Sequence, residues 1–575
     1  GTTMNKKITT RCLSLALALG LFSTTALAAE EPSQPTDTGE AAVQSLEVAE
    51  PTSAAEESDV AEVNVTSDQT TYTIDTPTKL IVNEDITLSG SGDAFTITAD
   101  TELVFAEGAS LTLSGYANGF TVSGATLTSA DMNITASSQM DVFRLKTNGK
   151  LLLSGNSTIT GSGQEGTTNR ALVLEGGEGQ AITLAENTTL TATNFYRGLE
   201  TGGAKQYTIS GAGMDSSTFD FQGNTVGMAL SYFDEDANYK NCKLDVSNCE
   251  ENGIFMRQDN AAIWGLYFDS VNIHCVNAEA TSGIAIRFHA GPFRFDNSVM
   301  TIDRSTTTGL WIYDGWDTER TDSGISNSTI MVKNVPTSLF QPNGKAITMA
   351  ICHDWVIDGS TIAVDNCGYA GINLSNDTRV SGSFFEGYTA VPGMVGGKLT
   401  VTDSVIHSSN MEEINPNNET GSALFTVQVG QFLEFGADVT AYNDNDERPI
   451  VMCAKGSDPY PHFAGGIIPT EADYNLDGLA ENLKTDLRFT MTGGSSKDLA
   501  TAEEAVARNK PVNENGTVLS MVTLTESEYN NAKNDDGSLI ITVNGESYFY
   551  HVSRAADDGN RYIWVPDGAV IGRGA

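Results

Sequence analysis

The chain has 575 residues, with 32 Lys+Arg against 74 Asp+Glu, a formal net charge of −42 and a pI of about 4.3. An excess of that sign removes the cationic surface that nucleic-acid phosphates and anionic lipids require, so neither is an expected partner. A hydrophobic share of 39% is too high for a wholly disordered chain and too low for a multi-span membrane protein, while 56 Gly against 15 Pro favours short strands and tight turns.

Lys6, Lys7 and Arg11 precede the apolar run Leu13 to Phe22, and Ala26-Leu27-Ala28 has the small-x-small pattern of a cleavage site. Residues 1–28 therefore read as a secretory signal peptide, which predicts a secreted or cell-surface protein. The apolar run is shorter than the about 20 residues that span a bilayer, so no membrane insertion is expected once the signal is removed. Residues 29–70 read as an acidic, disordered spacer. From Ala29 to Asp68 there are eleven acidic residues, no Lys or Arg and no aromatic, so little apolar surface is available to offset ordering entropy.

From Tyr72 the texture becomes alternating apolar and polar residues closed by Ser-Gly, as in Ile86 to Gly90, Leu111 to Gly115, Leu151 to Gly155 and Tyr207 to Gly211. Period-two alternation ending in a turn residue predicts half-buried strands. In the second half a longer unit recurs: an Asn/Asp-Ser opener with a short strand, then Gly and a second alternating strand. Examples are Asn297 to Ile302 with Gly309 to Ile312, and Gly359 to Val364 with Gly371 to Leu374. Two strands and two turns per copy, with little helix, exclude a propeller blade and fit stacked coils that bury their inward residues only against neighbours.

This pattern, over roughly Tyr72 to Cys453, resembles the right-handed parallel β-helix superfamily of pectate lyases and many secreted bacterial surface proteins. The resemblance implies an all-β fold, a right-handed parallel β-helix over residues 71–455. It implies fold more strongly than activity.

Six cysteines follow the signal. Cys249 and Cys367 take equivalent coil positions, where Ser305 and Val335 stand in other copies, so buried thiols are expected in preference to bridges. Residues 456–575 lose the repeat and read as a C-terminal cap or small α+β domain. Thr501 to Arg508 there has a capping-box helix pattern. Leu539 to Val543 and Tyr548 to Val552 flank the favoured hairpin turn Asn544-Gly545.

Aligning the coils on their Gly puts Phe255, Ala285, Trp311 and Asn373 in one outward row and Arg257, Arg287, Tyr313 and Ser375 in the next. His289, Asp314 and Trp316 fall close by. Aromatics beside arginines are groups that hold sugar rings and their oxygens, so Phe255, Arg257, Arg287, His289, Trp311, Tyr313, Asp314 and Trp316 form the candidate ligand-binding ridge. A lyase would need an Arg or Lys base beside carboxylate-bound Ca²⁺, and a glycosidase two facing carboxyls. No compact Asp cluster recurs on adjacent coils, so the expected function is a secreted, adhesin-like β-helix binding protein with a glycan or host-surface partner. A polysaccharide lyase or hydrolase, or a purely structural shaft, are the alternatives. No cofactor is expected except possible Ca²⁺ at Asp473, Asn475, Asp477 and Glu481, which match part of a calcium loop whose twelfth position is Lys484. Thr-x-Thr pairs such as Thr158/Thr160 and Thr189/Thr191 are explained by the strand preference of Thr.

Overall fold

The computed structural model describes residues 60–230, 236–256, 265–278, 283–289, 292–305, 308–313, 322–335, 345–351, 354–368, 370–375, 398–409, 423–427, 432–435, 439–443 and 451–453, with shorter pieces at 489–491, 519–535, 539–543, 546–550, 561–566 and 569–572. Almost every element from Ala61 to Cys453 is a strand paired in parallel with the equivalent strand one coil away. The fold is a right-handed parallel β-helix, the hand that parallel crossovers take.

Each coil contributes to three sheets, one more than the sequence repeat implied. Sheet A runs from Tyr72–Ile74 through Asp93–Ile97 and Asn118–Val122 to Thr308–Tyr313, Lys345–Ala350 and Ala370–Ser375. Sheet B includes Thr78–Val82, Thr101–Phe105, Phe293–Asp296 and Trp355–Asp358, and sheet C includes Ile86–Ser89, Leu111–Ser114, Val299–Asp303 and Thr361–Cys367. Sheet B was not legible in the second half because its strands are short and run directly into the Asn, Gly or Asp that opens the next one. The Ser-Gly closure also proved ambiguous. Ile86 to Ser89 lies in sheet C, whereas Lys150–Ser154 pairs with Thr126–Ala130 of sheet B.

The Asn/Asp-Ser opener has a physical basis at the corner between sheets B and C. Asn297, Asn327, Gly359 and Asp403 all have φ between 44° and 57°, the left-handed region that Asn, Asp and Gly reach most readily. The serine that follows joins a ladder: the Ser328 hydroxyl accepts from the Ser298 N–H at 3.1 Å, that of Ser360 from the Ser328 N–H at 3.1 Å, and that of Ser404 from the Ser360 N–H at 3.1 Å. Each hydroxyl also donates to a carbonyl two residues back. The ladder satisfies backbone groups that the corner would otherwise leave buried and unpaired. One coil earlier the pairing is continuous but the Asp-Ser motif is displaced by one residue: Ser270 (φ 56°) holds the corner and Val271 takes the serine file.

The repeated Gly marks the corner entering sheet A. An added Cβ at Gly309 would meet Val332 Cγ1 at 2.5 Å and the Ala346 carbonyl oxygen at 2.8 Å, and one at Gly253 would meet Cys275 Sγ at 2.6 Å. The backbone there packs directly on the end of sheet C, so even a methyl group at Gly253 or Gly309 forces its neighbours to shift.

The core is a set of in-register files. Tyr72, Phe95, Phe120 and Phe143 stack with ring centroids 4.9, 4.5 and 4.8 Å apart. The same file continues through Leu172, Leu199, Met228, Ile254, Ile286 and Leu310. Cys242, Cys249, Cys275 and Cys367 are buried, and burial pushes the Cys242 and Cys249 thiols up to about 12, so neither is a nucleophile near neutrality.

Two boundaries differ from the sequence reading. Ala61–Asn64, inside the segment read as spacer, pairs in parallel with Thr78 to Ile81, and Val65 is buried. In the tail, Leu539–Val543 pairs antiparallel with Glu546–Tyr550, leaving Asn544 and Gly545 between the strands, so the second strand starts earlier than expected. Glu526–Ala532 is a helix with a Thr525/Glu528 capping box. Its T-x-x-E pattern was legible but was not read. The helix expected at Thr501 to Arg508 lies outside the described residues, as do residues 1–59.

Candidate functional site

Strand register decides which side chains meet on the outer surface of sheet A. Ile254 pairs with Ile286 and Ile286 with Leu310, so Ala285, and not Gly283, stands beside Gly253 and Gly309. Gly283, with φ of 84°, belongs to the preceding turn. The Gly-based alignment was therefore off by two residues in this coil. Corrected, the outward row reads Phe255, Arg287, Trp311, Thr348, Asn373. Arg287 does not share a row with Tyr313, and Ala285 is buried and not outward.

That shift makes the row more informative. The Arg287 guanidinium carbon lies 5.8 Å from the Phe255 ring centroid and 5.3 Å from that of Trp311, so the cation is clamped between two π faces. All three side chains are half-buried. One face of each ring is occupied by Arg287, which leaves less open aromatic face for a sugar than the sequence pattern suggested. Beyond Trp311, Thr348 and Asn373 are buried although they face outward. Trp311 Nε1 and Thr348 Oγ1 have no hydrogen-bond partner among the described residues.

The adjacent outward row brings His289 and Tyr313 together, in register and in edge-to-face contact at 4.0 Å. Both are buried, which corrects the expectation of an exposed Tyr313. Lys345 begins the strand that carries Thr348, and burial holds its amine below the usual lysine pKa. Arg257, Asp314 and Trp316 lie outside the described residues, as do Asp473, Asn475, Asp477 and Glu481. Among the described residues no cluster of three or more metal-ligating side chains occurs.

A second charged group on sheet A escaped the sequence reading. Arg170 makes paired 2.7 Å contacts to both carboxylate oxygens of Asp141 and also bonds Glu200, which in turn accepts from Arg197. Arg144 bonds Glu175. Burial opposes the Arg170 charge, but hydrogen bonds and attraction from Asp141 and Glu200 outweigh it and raise its pKa. Arginines at coil spacing, in a chain with only 32 Lys+Arg, were the available signal. Asp141 and Glu200 are buried and committed to arginines, an arrangement that staples coils together and does not poise either carboxyl for acid-base work.

No protein-family model and no curated protein matches this chain. Among the described residues no helix is long and apolar enough to cross a membrane.

Proposed function

We propose that this chain is a secreted or cell-surface β-helix binding protein, adhesin-like, that holds a glycan on the outward row of sheet A. The observation that carries this reading is Arg287 held between Phe255 and Trp311 on a rigid strand array. A guanidinium fixed by two rings loses little entropy when its N–H groups meet sugar oxygens, and partial burial strengthens those bonds.

The test is binding of the full chain to a glycan array and to immobilised mucin. Arg287→Ala should weaken binding by about 1.5–3 kcal/mol, and Arg287→Lys, which keeps the charge but not the planar fork, should weaken it nearly as much. Unchanged binding in Arg287→Ala and in Trp311→Ala would refute the ridge. Release of new reducing or unsaturated sugar ends from any polysaccharide would replace the binding reading with an enzymatic one.

A further inference from the structure

The outer surface of sheet C in the first coils is built largely of aligned threonines. Thr87 pairs with Thr112, Thr112 with Thr135, Thr135 with Thr160 and Thr160 with Thr193, one threonine on each of five successive coils. Two residues along the strands a second file begins, with Thr158 opposite Thr191. A third places Thr189 opposite Thr218. The sequence did not show this, because coil length varies and the pairs do not recur at one spacing. Register removes the irregularity.

Parallel pairing sets successive threonines of one file about 4.8 Å apart and neighbouring files about 6.6 Å apart along the strand. Thr87 and Thr158 are exposed and the others half-buried. None of these hydroxyls bonds another described residue, whereas Ser129, Ser137 and Ser217 nearby donate to main-chain carbonyls. No Lys, Arg, Asp or Glu lies between the threonines on these strands, in a chain of net charge −42. The patch is bordered by Asp85 and Asp131 where its strands begin and by Asp220 at the far coil, where the second file turns acidic.

We infer that this threonine grid is a second binding surface, for an ordered, uncharged, hydroxyl-bearing solid, and specifically for an insoluble neutral polysaccharide. Single Thr contacts are weak. They add up only when the partner is as rigid and periodic as the sheet, because then no further ordering entropy opposes them. The absence of charge matches a neutral lattice and disfavours an anionic or mineral one. Exposed Asn133 and Asn156 at the edge add amides, which can both donate to and accept from sugar oxygens. The choice of polysaccharide over other hydroxylated solids rests on the glycan reading of sheet A, and the experiment separates the two surfaces.

The probe is microcrystalline cellulose, with the full chain measured by depletion from solution. Wild type should adsorb, and Thr135→Lys with Thr160→Lys should lower the partition coefficient by about tenfold while leaving the melting temperature in place. Arg287→Ala should adsorb like wild type. If the double variant folds poorly, Thr158→Lys at an exposed position serves in its place. Equal adsorption by the lysine variants, or loss of adsorption in Arg287→Ala alone, would overturn the grid. So would displacement by soluble oligosaccharide at equal sugar concentration, which signals recognition of single rings, and so would shaping of ice crystals without adsorption to cellulose.

Discussion

The first coils and the later ones build the same cross-section by different means. Between Tyr72 and Leu145 the interior file of sheet A is a stack of rings, and equivalent residues such as Asp93 and Asn118 stand 25 residues apart. From Ile254 to Ile372 the file is aliphatic, before Phe425 joins it, and the corners are held by Gly packing and the serine ladder. Coil spacing grows to 32 residues at Ser328–Ser360 and 44 at Ser360–Ser404. The parallel backbone pairing between coils is the same in both regions. The comparison teaches that pairing needs only a repeating backbone, so side chains are free to fill the interior with whatever volume the coil leaves. Added residues go into the connections. The short coils consequently present an uncharged strand surface on sheet C, and the later ones present the Arg287 ridge on sheet A.

The largest expected effect tests the ring stack. Phe120→Ala leaves a cavity between Phe95 and Phe143 and should destabilise those coils by about 3–5 kcal/mol, against about 0.5–1.5 kcal/mol for Ile286→Val in the later ones. Hydrogen exchange resolved by coil is the suitable measurement, since solenoid stability is a sum over neighbours. Equal losses in the two regions would show that the rings contribute no more than aliphatics.

Next comes the Gly corner. Gly309→Ala forces a Cβ against Val332 and the Ala346 carbonyl and should destabilise by about 1–3 kcal/mol, while Ala285→Gly in the same file changes stability by no more than about 1 kcal/mol. A neutral Gly309→Ala would mean that sheets A and C separate more easily than their packing indicates. Ser328→Ala removes the acceptor for the buried Ser298 N–H and should fall by about 1–3 kcal/mol in chemical denaturation. The outward Thr112→Ala should stay within about 0.5 kcal/mol.

The smallest effect concerns acid. The hydrogen bond from Arg144, opposed by partial burial, holds the Glu175 carboxyl below its ordinary pKa. A depressed folded pKa gives stabilisation that is present above the unfolded value of about 4.3 and is lost as pH falls through the lower folded value. Glu175→Gln should therefore flatten only that part of the stability profile, and slightly, because the side chain is more than one-third exposed. A change centred near neutrality would contradict the assignment.

Legibility followed the range of the physics. Alternation, Asn/Asp corners and Ser after them are local, so the all-β class, the parallel solenoid and the buried cysteines were readable from residues alone. The two-residue hairpin turn at Asn544-Gly545 was readable for the same reason. What pairs with what is not local. Ala285 can replace Gly in the corner because it too is small, and nothing in the coil's own residues reveals the exchange. Its neighbours' backbones do, through Ile254, Ile286 and Leu310. That one shift moved Arg287 between Phe255 and Trp311, and the same dependence on register aligned the threonines of sheet C. The sequence by itself determined that coils form and which residues turn inward, because burial and backbone preference act residue by residue. The tertiary structure alone decided which outward side chains become neighbours, because a two-residue slip preserves the inward and outward faces of a strand while changing every contact across the surface.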